Sequence, residues 1–183
     1  MAVFHFNCKK TVQAVAFLLS QPGTDGDAYL KVIKLLYLAD RESLLETGRP
    51  ITGDKTVAMP HGTALSHATD LIRGQDFREE WSEFLATGRD KKLRIVKDPG
   101  QGLLCRYELD KLSGVARRYR RKTRWDMKDI THRLPEYRKN HPGQSSKEIP
   151  ISDILEAGGK SDMLPSIKRA ARSDLAFARA FGA

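Results

Sequence analysis

Between Leu30 and Gly48 lies a helical pattern whose middle, Val32 to Ala39, is apolar nearly all the way round. A surface helix needs one apolar stripe; a helix apolar on every side needs neighbours on every side. The rest of the fold must therefore wrap around this segment. Leu30, Ile33, Leu36, Tyr37 and Leu44 carry the spacing. Asp25 or Asp27 can cap the start, because a carboxylate oxygen accepts from the free N–H groups of a first helical turn. Gly48 suits the left-handed position at its end.

The flanking segments read mostly as helices too. Lys9 to Ser20 is apolar-periodic, with Val12, Val15, Phe17 and Leu19 to be buried, and Gln21-Pro22-Gly23 stops it. Gly48 to Gly53 is a loop leading to an extended piece, Thr56 to Met59, interrupted by Pro60, His61 and Gly62. Helices are expected over Ala64–Ile72 and, with Phe77, Trp81, Phe84 and Leu85 on one face, over Phe77–Ala86. The hairpin signal pairs Lys92–Lys97 with Leu103–Leu109 across Pro99-Gly100-Gln101-Gly102. Ser113 would cap a helix to about Lys122, and a second helix covers Trp125–His132. Pro135 and the polar run Lys139–Lys147 read as a loop, and Ser152 as the cap of a helix ending at Gly158-Gly159. A last helix starts near Pro165 and runs to Phe181, with Ile167, Ala171, Leu175, Ala178 and Phe181 as its stripe. The expected fold class is mainly α: a compact helical domain with a small β-hairpin or short sheet.

Composition narrows the function classes. The 183 residues are 40% hydrophobic and 30% charged, enough to bury one core. No apolar run approaches the ~20 residues that cross a bilayer, and Met1 to Phe6 lacks the features of a signal peptide. Two distant cysteines, Cys8 and Cys105, suit a reducing cytoplasm. A net charge of +9 favours acidic partners: nucleic acid, acidic proteins or anionic lipid.

Chemistry finds little purchase. His61 and His67 are not at the spacing that aligns two ligands on a helix face, and there is no HExxH or CxxC. No GxSxG appears, and both cysteines sit among apolar residues, as core thiols do. The expectation is no enzyme, no metal and no cofactor. The basic cluster is more substantial: Arg117, Arg118, Arg120, Arg121, Lys122 and Arg124 fall within eight residues, beside Tyr119 and Trp125. On a helix it would form a broad positive patch for phosphate or for an acidic protein surface; the alternative is a solvated helix with Tyr119 turned inward.

Read in order, Lys34-Leu35-Leu36-Tyr37-Leu38-Ala39-Asp40-Arg41 resembles the signature of the Panacea (SocA-like) antitoxin domain family. The resemblance continues through Gly48-Arg49-Pro50-Ile51-Thr52-Gly53-Asp54 and Ala58-Met59-Pro60-His61-Gly62. It resumes at Leu112-Ser113, Thr131-His132, Pro135-Glu136-Tyr137 and Ile149-Pro150-Ile151-Ser152-Asp153-Ile154. Where the family usually has Gly-Pro this chain has Gly62-Thr63. The matching pieces span about residues 8 to 157 and imply a domain over residues 1–160; 161–183, outside the resemblance, is expected to be a C-terminal helix packed on it or used for partner binding.

It further implies a bacterial or phage-associated protein that neutralises a cognate toxin by direct binding, in some members by delivery to a ClpXP-type protease. A phage regulatory protein and a nucleic-acid binder using the basic cluster are the alternatives. The signature residues Lys34, Leu35, Tyr37, Asp40, Arg41, Gly48, Pro50, Met59, His61, Gly62, Thr131 and His132 read mostly as scaffold. The polar ends of Lys34, Tyr37, Asp40 and Arg41 need buried hydrogen bonds or a partner, and an internal network reaching the Arg49–Gly62 segment is the reading adopted. Partner contact falls to the basic cluster and to Arg169, Arg172, Phe177 and Phe181 of the last helix.

Overall fold

The computed structural model describes residues 4–21 and 28–181, with backbone alone for residues 174–181. The elements run α1 (Cys8–Ser20), α2 (Tyr29–Thr47), β1 (Thr56–Met59), β2 (Gly62–Leu65), α3 (Ser66–Arg73), α4 (Glu79–Ser82), β3 (Leu85–Thr87) and β4 (Leu93–Ile95). They continue with α5 (Arg106–Arg118), α6 (Arg124–His132), α7 (Pro135–Lys139), β5 (Lys147–Glu148), α8 (Ile151–Ala157), a 3-10 turn (Ser161–Met163) and α9 (Leu164–Phe181). The fold is mainly α with two small antiparallel sheets, ordered β2-β1-β5 and β3-β4.

α2 is the axis that the sequence demanded. Residues 31–40 are buried without a break, and the helix packs against α1, α3, α5, α6, α8 and β2. Gly48 ends it in the left-handed conformation, φ 78°. The main core gathers Val12, Val15, Leu18, Leu35, Leu36, Leu112 and Met127 around it. A smaller cluster beyond the end of α2 joins Leu44, Tyr137, Ile149, Ile154 and Ile167. Asp25 and Asp27 lie outside the described residues; Ala28 occupies the cap position of α2, with no side-chain bond.

Several local expectations are corrected. The helix after Gly62 starts late, at Ser66, because residues 62–65 turn straight back on β1: Met59 faces Gly62 and Thr56 faces Leu65. Pro60-His61 is the tight turn of that hairpin, and Gly62, at φ 94°, has no room for a Cβ beside the Thr131 hydroxyl. The helix expected over Phe77–Ala86 shrinks to α4, with Phe77 78% exposed and Leu85 already in a strand. β4 pairs backwards with β3, Leu85 opposite Ile95, so Leu103–Leu109 is no strand. The Glu108 carboxylate accepts from the Cys105 N–H at 3.0 Å and starts α5 there, a capping contact that outweighs the turn chemistry of Pro99–Gly102.

Ser113 is consequently a mid-helix residue rather than a cap, and α5 ends at Arg118. Ser152 likewise lies inside α8, whose cap position is Pro150. Pro135 opens α7 instead of breaking the chain, as proline does at a first helical position. Cys8 is buried as expected, but Cys105 is exposed at the head of α5.

Candidate functional site

The polar residues of α2 face the chain's own backbone. Asp40, 4% exposed, accepts from the Ile51 N–H at 3.0 Å, the Thr52 N–H at 3.1 Å and the Thr52 hydroxyl. These bonds fasten the loop after Gly48 to the helix. Burial pushes the Asp40 carboxyl up to about 7 against the pull of those donors. Tyr37 and Arg41, one turn apart and so on one face, converge on Glu136 of α7. The Tyr37 hydroxyl donates to Glu136 Oε1 at 2.8 Å and Arg41 Nε to the same oxygen at 2.6 Å. Burial and the Glu136 charge raise the Tyr37 hydroxyl far above its ordinary range.

Lys34 is handled differently. Its ammonium is buried and donates to the Thr63 carbonyl of β2, and burial brings it down to about 7. It sits beside Gly62, Thr131 and His132. Nearby, Thr63 Oγ1 and His132 Nε2 are buried without a hydrogen-bond partner among the described residues. The His132 ring stacks on Tyr137 at 4.5 Å, and the Tyr137 hydroxyl donates to the Met59 carbonyl at 2.9 Å. The Thr131 hydroxyl bonds the Lys128 carbonyl within α6.

The signature residues thus come together in two patches on α2, one toward Glu136 and the Ile51–Thr52 loop, the other toward the β1–β2 turn. Leu35 is core. His61 projects from the turn, exposed, its ring 6.4 Å from Trp125. Four residues of the network had no assigned role: Glu136, Thr52, Asp54 and His67. Asp54 accepts from the N–H groups of His67 (3.1 Å) and Ala68 (2.9 Å) and so caps α3 from a distant loop, and it also holds His67 Nδ1 at 2.7 Å. A buried Tyr and Arg one turn apart both require an acceptor, and that need is the only sequence signal that an acid such as Glu136 stands opposite them.

Above this network lies an open groove of about 900 Å³. Tyr37, Asp40, Arg41 and Pro50 line it from the family-signature side, with Phe4–Phe6, the exit of β5, α8 and α9 as its other walls. The N-terminal segment crosses so close to Gly53 (φ 71°) that the His5 carbonyl occupies the place of a Cβ there. On α9, Arg172 lines the groove and Arg169 is exposed; the side chains of Phe177 and Phe181 lie outside the described residues.

The basic cluster is not a single helix. Arg117 and Arg118 end α5, Arg120, Arg121 and Lys122 form the turn, and Arg124 opens α6. Thr123 caps α6, its hydroxyl accepting from the Asp126 N–H at 3.2 Å. Lys31 Nζ donates to the Arg120 carbonyl at 3.3 Å and tethers the turn to α2. Arg118 pairs with Glu42, and all six cations are exposed. Trp125 stands among them 53% exposed, with Arg124 over its ring at 5.0 Å. Tyr119 is turned partly inward against the core. No helix among the described residues is long and apolar enough to cross a membrane.

The model of the antitoxin SocA-like, Panacea domain family matches residues 32–137, more than half of the chain. No curated protein and no solved structure matches. The matched stretch opens within α2 and closes at Tyr137, so it takes in the Asp40 and Glu136 network, the β1–β2 hairpin and the basic turn. The chain belongs to the SocA-like, Panacea-domain antitoxin family.

Proposed function

We propose that this protein is a cytoplasmic antitoxin that binds a cognate toxin protein and neutralises it by direct contact, with no catalytic step of its own. The observation that carries this reading is the family match over residues 32–137. The arrangement of the signature supports it. Tyr37, Asp40, Arg41 and Glu136 satisfy one another and the backbone, which is the work of a scaffold. Recognition falls to what the scaffold displays, the groove beside α2 and the cationic turn around Trp125. Trp and Arg are the side chains that most often anchor protein interfaces.

The test is co-expression with the protein encoded by the neighbouring reading frame. Restored growth and a co-purifying complex are expected; absence of both sinks the reading. Delivery of the bound toxin to a ClpXP-type protease is its finer form, visible as faster loss of the toxin when this chain is present. A second reading rests on Trp125, an exposed ring among Arg117, Arg120, Arg121 and Lys122, the makings of a stacking platform for single-stranded nucleic acid. Changing Arg117, Arg118, Arg120 and Arg121 to Glu would then abolish salt-dependent RNA or DNA binding, and unchanged binding would remove that turn as the reader.

A further inference from the structure

The groove beside α2 has one wall inside the family match and the other outside it. Tyr37, Arg41 and Lys55 belong to the matched region; the exit of β5 and the α9 residues Lys168 and Arg172 do not. Lys168 and Arg172 are one turn apart on α9 and line the groove together. Both are exposed, as is Lys55 across from them, and none of the three side chains has a charged partner among the described residues. The carboxylates of Asp40 and Asp54 are engaged by internal donors, which leaves Glu148 as the acid of the lining with no partner among the described residues. The potential in the groove is therefore positive. Its floor is apolar, with Leu44, Ile154 and Leu164, and at about 900 Å³ it is large enough to take a chain segment rather than one side chain.

We propose that this groove docks an acidic segment of the partner protein, a stretch in which carboxylates alternate with apolar side chains. Its carboxylates meet Lys55, Lys168 and Arg172, and its apolar side chains settle on Leu44, Ile154 and Leu164. The inference rests on the reading that the partner is a protein. It adds that the matched region supplies Leu44 and one of the three cations, while the part outside the match supplies the rest of the apolar floor and the two cations that choose the partner.

Two probes test it, both with the full chain. One is a fluorescent peptide of alternating Glu and Leu or Phe, compared with a peptide carrying Lys in place of Glu. The other is the protein encoded by the neighbouring reading frame. Binding is compared among wild type, the groove variant Lys55→Glu/Lys168→Glu/Arg172→Glu, the filled variant Ala171→Trp, and a control in which Lys9, Arg89 and Arg133, exposed cations outside both the groove and the basic turn, are reversed to Glu. Thermal unfolding confirms that each variant is folded; the reversed side chains are exposed and have no charged partner among the described residues, so little change is expected.

The expected result is salt-dependent binding of the acidic peptide alone, weakened roughly a hundredfold by the groove reversal, lost in the filled variant and kept in the control. Equal binding by wild type and the groove variant, or no binding by wild type, overturns the proposal. If the neighbour-encoded protein binds all four proteins alike, the groove is not its site, although the antitoxin reading stands. If that protein binds none of them while the acidic peptide still follows the groove charges, the antitoxin reading fails and the docking groove survives.

Discussion

Asp40 and Lys34 are carried by the same helix and are buried alike, at 4% and 1% exposure, yet the fold treats their charges in opposite ways. Asp40 receives two backbone N–H groups and a hydroxyl, so every contact favours an acceptor. Lys34 finds one carbonyl, and near it His132 Nε2 and Thr63 Oγ1 have no hydrogen-bond partner among the described residues. The two cases separate burial that fixes structure from burial that the structure tolerates. Leaving a buried group unpaired costs about 1–3 kcal/mol, more than the roughly 1 kcal/mol that a typical hydrogen bond gains, so removing a hub is expensive and removing a poorly served charge is not.

The hub that extends this contrast furthest is Glu136. It is fully buried, and its carboxylate is the acceptor for both Tyr37 and Arg41. Glu136→Ala leaves a largely buried guanidinium without its counter-charge, and a loss of about 3–5 kcal/mol is expected. Urea unfolding at neutral pH reads it directly. A loss under about 1 kcal/mol would place Glu136 with Lys34 among the tolerated charges.

How much of this the sequence announced follows the same division. The long apolar segment of α2 made a central helix legible, because periodicity reports burial on all sides. The placement of Lys34, Tyr37, Asp40 and Arg41 in internal contacts was legible from the need to satisfy their polar ends. Their partners were not: Glu136 is nearly a hundred residues away from Tyr37 in the chain, and nothing local marks such a contact. The strand errors have a related cause. Residues 62–65 and 85–87 are too short to show alternation, and each became a strand through its pairing partner. The basic cluster was visible as charge, but its helix–turn–helix shape depended on the Cys105–Glu108 and Thr123–Asp126 caps, which shifted the start of each helix.

Asp40 itself gives the next largest effect. Asp40→Ala strands the Ile51 and Thr52 donors and should cost about 2–4 kcal/mol, whereas Asp40→Asn keeps one acceptor for both N–H groups and should cost less. The pH dependence sharpens the point. The Asp40 carboxyl is raised from its ordinary 3.8 to about 7 in the fold, so the folded state binds the proton more tightly than the unfolded state does. Stability from this group is complete below pH 4 and is lost as pH rises to about 7. The cost of Asp40→Asn, measured by unfolding along that range, should shrink with rising pH. A cost that grows instead would mean that the donors around Asp40 hold it charged.

Lys34→Met is expected to change stability least, within about 1 kcal/mol at neutral pH. The substitution removes a desolvated charge and leaves one carbonyl, that of Thr63, without its donor. Its signature is a slope. Lys34 is lowered from 10.5 to about 7 in the fold, so between those limits the unfolded chain holds the extra proton, and raising the pH stabilises the wild type. The gain is absent from Lys34→Met, and the difference between the two proteins should therefore widen in favour of wild type from pH 7 to pH 10.5. His132, shifted downward by burial and by the nearby Lys128 and Lys34 charges, titrates below this window. Cys8, pushed up to about 11 by burial, acts in the opposite sense at its upper end, but in both proteins alike, so it cancels in the difference. A flat difference, together with a loss above about 2 kcal/mol, would show that Lys34 is a hub in its own right, held charged by contacts that outweigh its burial.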